Sequence, residues 1–565
     1  MTAPRLLLAL AAVAIGFAAA DTYVVVLALP DMMTSAGLGV DEIQRAAPIV
    51  SGFLLGYVGV LPLIGRLADL RGRVPVLLGC LIVFTIGSVV TAGAYDLATI
   101  VIGRFFQGVG GGGLIPPTLA LVAERWPPER RGLPLGIVGA VQELGSVIGP
   151  LYGAAVLAFG TWHTIFWLNA AVGLLIAAAL WPQRGAHRRV RDVAGLLLLA
   201  VSAAAASLVM LQPSLLVTDV TWGLPFVPFT GDNRWWSALG LTAGAAFVLF
   251  VVRQATASSP LLDWRGWRTA ASQTDLTGAL AMSVALGAVI VSFASVEPES
   301  GSLAPAAPWL LAAGAAAAAL FIWRQRTAHA PLIPRGALAH RAAVGAVVVS
   351  FFVGSALIAA LVDIPFFARL TVARDSQFDA ALVLIRFLIA LPIGAVAGGW
   401  LCRRLPPALL TAAGMSVAAA SFALMSRWDA TALDQVSSDI VLVAAGSGFG
   451  IAIAPVNAAL LNHTADAVHG LASALLVVAR MVGMLVGVSA LSALGLRAFR
   501  SAIADIPPVE ELCGSTSACP EYNAAVLDAG ISQLQAVFTG AAVCAAIAAL
   551  LAAVLLRRST TSPGR

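Results

Sequence analysis

The sequence predicts an all-α polytopic membrane protein of sixteen spans. Of its 565 residues, 60% are hydrophobic and 11% charged, with a mean hydropathy of +0.93. That is too little charge for a soluble chain of this size. Apolar runs of roughly 20 residues, enough to cross about 30 Å of hydrocarbon, recur from end to end. In lipid such runs must be helices, because every backbone amide needs an internal partner. The third observation is that Arg clusters in alternate loops, the pattern that sets membrane orientation.

The first run, 5–29, carries Asp21 and lacks a small-residue cleavage pattern, so it reads as a helix and not a signal peptide. The second and third, 46–68 and 74–95, flank a short basic turn, Gly65-Arg66-Leu67-Ala68-Asp69-Leu70-Arg71-Gly72-Arg73. The fourth, 98–123, holds Arg104 in a Gly-rich setting. The fifth, 133–157, holds Glu143, the stripe Gly145, Gly149, Gly153 and the bend-forming Pro150; the stripe lets another helix approach closely. The sixth is 160–181.

Four spans follow at 193–212, 236–254, 275–296 and 307–325, and they read as a duplicated hairpin. Asp192-Val-Ala-Gly195 recurs as Asp275-Leu-Thr-Gly278, and Pro260-Leu261-Leu262 as Pro331-Leu332-Ile333. Fourteen spans is the alternative, with one pair re-entrant or at the interface. The last six are 342–369, 377–401, 407–426, 438–462, 470–505 and 521–556.

The final two runs are too long for the bilayer. From Gly470 to Pro507 a helix reaches about 55 Å, so roughly 20 Å projects beyond the hydrocarbon. The projecting part is amphipathic, with Leu496, Phe499, Ile503 and Ile506 interleaved with Arg497, Arg500 and Asp505. Its tip carries Cys513 and Cys519, which would pair in an oxidising compartment. Cys80, Cys402 and Cys544 read as packing.

Alternate loops hold Arg71, Arg73, Arg125, Arg130, Arg131, Arg184, Arg188, Arg189, Arg253, Arg324, Arg326, Arg403 and Arg404. The opposite loops hold acids such as Asp41, Glu42, Asp96, Glu297, Glu299, Asp429 and Asp434. Both termini are therefore expected in the cytoplasm, in the inner membrane. The pI of about 9.2 reflects these loops and does not suggest nucleic acid.

All 33 basic residues are Arg. Without Lys there is no Walker P-loop, Schiff base or kinase ATP site, and neither His-Glu-x-x-His nor Gly-x-Ser-x-Gly occurs. We expect no enzyme, no catalytic residue, no cofactor and no metal, and energy drawn from an ion gradient.

The basic turn at 65–73 resembles the loop signature of the major facilitator superfamily, Gly-x-Leu-x-Asp-x-x-Gly-Arg. Arg104-Phe-Phe-Gln-Gly-Val-Gly resembles its fourth-helix pattern, and Gly145 to Gly153 resembles the fifth-helix motif of drug–proton antiporters. The resemblance implies two six-helix halves, 1–182 and 341–565, with helices inserted at 183–340 and an extension at about 496–530. It implies a cytoplasmic gate at Gly65, Arg66, Asp69 and Arg73, and a protonatable Asp21 whose ionisation Arg104 resets.

The halves of this family are related by an axis along the membrane normal. Arg480 occupies the second half's fifth helix, with Gly483 and Gly487 after it, as Glu143 does the first. The two charges are thus expected to meet as an ion lock, which protonation of Glu143 opens, leaving Arg480 to turn to Asp21 or water. Arg386 is a further membrane-depth charge with an open role.

Asp21 to Val26, Gln142 to Gly153, Phe387 to Val396 and Val477 to Met481 are similar to mycobacterial triacylglyceride and multidrug efflux transporters. That resemblance implies a lipid or apolar small-molecule substrate, protons, a periplasmic lipoprotein carrier of the LprG type, and a monomer. A broad drug–proton antiporter and a non-transporting scaffold or sensor are the alternatives.

Overall fold

The computed structural model describes residues 3–38, 43–184, 192–219, 221–231, 233–257, 261, 264–294, 307–373, 376–514 and 519–557. The loop charges Asp41, Glu42, Arg188, Arg189, Glu297 and Glu299 lie outside the described residues, as does Pro260 of the repeat. The first bundle contains α1 (Ala3–Ser35), α2 (Ile43–Gly59), α3 (Leu61–Arg71), α4 (Arg73–Ala92), α5 (Leu97–Gly113), α6 (Ile115–Arg125), α7 (Gly132–Phe159) and α8 (Trp162–Leu180). Each of α2–α3 and α5–α6 is one membrane crossing interrupted at a proline-containing turn, Val60-Leu61-Pro62 and Leu114-Ile115-Pro116-Pro117.

Next come α9 (Val193–Leu211), the single-turn α10 (Ser214–Val217), α11 (Ala238–Thr256), α12 (Trp264–Ser272), α13 (Leu276–Ala294) and α14 (Ala307–Thr327). The second bundle contains α15 (Arg341–Leu370), α16 (Gln377–Leu401), α17 (Pro407–Met425), α18 (Val436–Asn462), α19 (His469–Ala504), the short α20 (Val509–Cys513) and α21 (Pro520–Leu555).

Among the described residues, 15 helices are long and apolar enough to cross a membrane. The α12–α13 pair, bent by 74° at its break, makes a sixteenth when counted as one span. Asp275 restarts the helix after the bend by accepting the Gly278 N–H at 3.0 Å.

Each bundle holds an apolar core, one around Leu77, Phe84 and Leu119, the other around Phe387, Phe422 and Phe538, and the first core continues into the second bundle through Ala454, Leu461 and Val477. In both, the small-residue stripe lets the fifth helix lie against the first. A Cβ at Gly145 would stand 2.4 Å from the Gly16 carbonyl oxygen, and one at Gly149 2.5 Å from that of Ala20. In the second bundle a Cβ at Gly483 would stand 2.0 Å from the Phe351 carbonyl oxygen and one at Gly487 2.7 Å from the Ser355 Cα. Gly153 packs against Val24 in the same row, and Pro150 lies inside α7 without ending it.

The central helices form two hairpins, α9 with α11 and α13 with α14, closed by the same device. Asp192 caps α9 through the Gly195 N–H at 3.0 Å and receives Arg253 from the end of α11 at 2.6 Å. Asp275 caps α13 and receives Arg324 from the end of α14 at 2.8 Å. Burial pushes the Asp192 carboxyl up, but the Gly195 amide, Arg253 and Gln254 outweigh it and hold the group below the usual carboxylate range. At Asp275 burial is likewise outweighed, here by Arg324 and the Gly278 amide.

Candidate functional site

The most occluded charges sit inside the first bundle. α5 begins at Asp96, whose side chain accepts the Thr99 N–H, and carries Arg104 two turns further on. Arg104 donates to Asp21 of α1 at 2.7 Å, and both side chains are at most 1% exposed. Asn169 of α8 donates to the other Asp21 oxygen. Gln107 accepts from Arg104 at 3.1 Å and donates to Ser88 at 2.9 Å, and the guanidinium lies 4.2 Å from the Phe53 ring centroid. A dry, paired charge of this kind is costly to disturb.

Between the bundles, Glu143 of α7 faces Arg480 of α19 at 3.7 Å. Their side chains are 15% and 7% exposed, so this pair is enclosed but less sealed than the first. Asp21, one expected alternative partner of Arg480, is already engaged by Arg104 and Asn169. Arg480 lines a cleft with Ser350 and Asn457 that is too small to hold more than about one water.

At the face carrying the basic loops the bundles are fastened together. The Asp69 carboxylate accepts the N–H groups of Gly470 and Leu471 at 2.8 and 2.9 Å, so a residue of the first bundle caps α19 of the second. Arg73 stands 3.7 Å from Asp69, donates to the Asp466 carbonyl at 2.8 Å and lies 3.4 Å from Glu124. Arg66 adds a second positive charge near Asp69. Gly65 lies flat on Gly470: a Cβ on it would be 2.5 Å from the Gly470 carbonyl oxygen. The matching loop of the second bundle has no acid; there Gly132 and Gly399 make the close approach directly.

Several residues matter that sequence patterns did not single out as site groups. Arg131 reads as an orientation charge, yet its guanidinium donates to the Ala123 and Trp126 carbonyls at 2.8 and 2.9 Å and reaches Asn462 at 3.2 Å across the bundles. Asn169 was visible as a lone amide in an apolar run. Asp363 was visible as an acid two residues before Pro365, deep in a 30-residue span. Arg386 pairs with Asp439 in the first turn of α18, partly exposed.

α19 and α21 pack as a hairpin, and Leu496, Phe499, Ile503 and Ile506 are half-buried. A disulfide joins Cys513 to Cys519 at the tip, with their Cα atoms 5.6 Å apart. Cys80, Cys402 and Cys544 are free.

The chain is similar to known proteins. Residues 11–323 match the model of the Major Facilitator Superfamily. The chain is 34% identical over 506 residues to a triacylglyceride transporter of Mycolicibacterium hassiacum, covering 87% of this chain and 80% of that one. It is 34% identical over 524 residues to the triacylglyceride transporter of Mycobacterium tuberculosis, covering 89% and 86%. Among solved structures, the human organic anion transporter MFSD10 superposes with a TM-score of 0.54 at 14% identity, over 98% of this chain and 100% of that one. The proton:xylose symporter XylE gives 0.53 at 13%, over 97% and 94%. At such identities the solved structures speak for the fold alone. With the family model over more than half its length, the chain belongs to the major facilitator superfamily of membrane transporters.

Proposed function

We propose that this chain exports a triacylglyceride-like lipid from the inner membrane towards the periplasm, driven by protons, through alternating access. The observation that carries the proposal is the Glu143–Arg480 contact, an ion pair within two apolar spans that links one bundle to the other. A proton on Glu143 removes the attraction, while Arg480 keeps its charge and turns towards water. The bundles 1–182 and 341–565 are the moving halves, and 183–340 is an insert between them. Asp21 and Arg104 form the second charge pair of the coupling system. Gly65, Arg66, Asp69 and Arg73 are the cytoplasmic gate, closed in the present conformation.

The lipid reading is supported by the relatives named as triacylglyceride transporters and by the apolar stripe Leu144, Ile148 and Leu151, uncovered beside Glu143 on α7. The cargo enters sideways from the bilayer and leaves along the 496–530 projection to a periplasmic lipoprotein carrier. The protein acts as a monomer with both termini in the cytoplasm.

The test is flux of a labelled triacylglyceride, and in parallel of a small cationic amphiphile, in reconstituted vesicles with and without a proton gradient. We expect lipid flux to rise with the gradient, and Glu143→Gln and Arg480→Gln to lose that rise. Gradient-driven movement of the amphiphile alone would favour a drug–proton antiporter. Lipid flux indifferent to both substitutions would refute the coupling.

A further inference from the structure

Behind the fastened face lies a second, larger opening that the transport reading does not use. A cavity of about 830 Å³ is bounded by the start of α7, the 403–406 loop, the first turn of α17 and the ends of α18 and α21. Its floor is apolar, including Ala412, Ala459 and Leu556. Its rim carries Arg403, Arg404 and Arg557 against one acid, Glu129. Arg404 rests over the Trp400 ring at 4.9 Å, an aromatic–cation pairing suited to the headgroup layer. The first turn of α17 has no side-chain cap, so its amide dipoles add to the positive field at the same mouth. Leu405 and Leu409 stand exposed beside these arginines, as they would facing lipid chains.

We infer that this cavity is a binding site for an anionic phospholipid of the leaflet that contacts the basic loops. The phosphate sits among Arg403, Arg404 and Arg557, and the upper acyl chain lies over the alanine floor. A basic rim over an apolar floor at headgroup depth fits an anionic amphiphile better than a zwitterionic lipid or a soluble anion. The site is separate from the route of the transported lipid. Because Pro128, Glu129 and Gly132 belong to the first bundle and the remaining walls to the second, the occupant contacts both. A ligand that binds better when these walls are together favours the state closed at the basic face.

The test uses the full-length protein in detergent, with phosphatidylglycerol, phosphatidylcholine and inorganic phosphate as probes, and bound lipid counted by native mass spectrometry. We expect phosphatidylglycerol to bind at least tenfold more tightly than phosphatidylcholine, and inorganic phosphate not to displace it. The triple variant Arg403→Gln, Arg404→Gln, Arg557→Gln should weaken phosphatidylglycerol by about a hundredfold, from three arginine contacts near the surface. Ala412→Trp, which fills the floor and keeps every charge, should also lower it. A melting profile without lipid checks that each variant is folded. Equal binding of the two lipids, displacement by phosphate alone, or binding unchanged in both folded variants would overturn the assignment.

Discussion

Two ion pairs of identical chemistry have different surroundings, and the difference predicts different consequences of mutation. Asp21 and Arg104 are sealed among α1, α5 and α8, with Asn169 and Gln107 satisfying further polar atoms. Asp21→Asn leaves Arg104 charged in a dry bundle, and we expect a loss of about 3–5 kcal/mol, read as a lower Tm in detergent before transport is assayed. Glu143→Gln should cost less stability, since Glu143 is partly accessible, and should act on coupling. A Tm fall as large for Glu143→Gln as for Asp21→Asn would contradict that division. Glu143 and Arg480 were legible because a charge in an apolar run stands out. The partners of Arg131 were not, since Asn462 lies 331 residues away and only the folded chain brings them together.

At the scale of elements, the two central hairpins repeat one closure: an aspartate that both caps its helix and clasps an arginine from the next. The carboxyl of each is held below its ordinary value, so each latch is complete above the unfolded value of about 3.9 and is lost as the pH falls through the lower folded value. We expect amide exchange at Gly195 and Gly278 to accelerate only in that acid window. Asp192→Asn and Asp275→Asn should show the faster exchange already at neutral pH. Protection unchanged by acid and by both substitutions would remove the latch. The repeat was visible in the sequence as two Asp-x-x-Gly stretches, and span limits were visible because bilayer thickness dictates them. The 74° bend between α12 and α13 was not: it accompanies long-range packing, in which Trp267 of α12 lies under Arg71 of α3.

At the scale of the molecule, closure at the basic face depends on bare backbone meeting bare backbone. Gly65→Val puts side-chain carbon where the Gly470 carbonyl stands, 2.5 Å from the first added atom. We expect that variant to favour the state open at this face, with cysteines introduced there labelled several-fold faster by a membrane-impermeant reagent in inside-out vesicles. Labelling no faster than in the parent would show that the contact does not control the opening. The two-bundle architecture was legible from motifs; which glycines touch across the divide was not, because it requires the relative placement of helices far apart in the chain.

One helix connects the clasp, the Glu143–Arg480 pair and the disulfide-closed tip. α19 is unbroken for 36 residues, a rod of about 54 Å, with the Asp69 clasp at one end, Arg480 a third of the way along and the disulfide-closed tip beyond the other. Pivoted at the clasp, a swing of about 10° carries the far end roughly 9 Å. Under the proposed coupling, a single protonation near the fulcrum is spent as a sweep of the disulfide-closed tip, without any joint or relay in between.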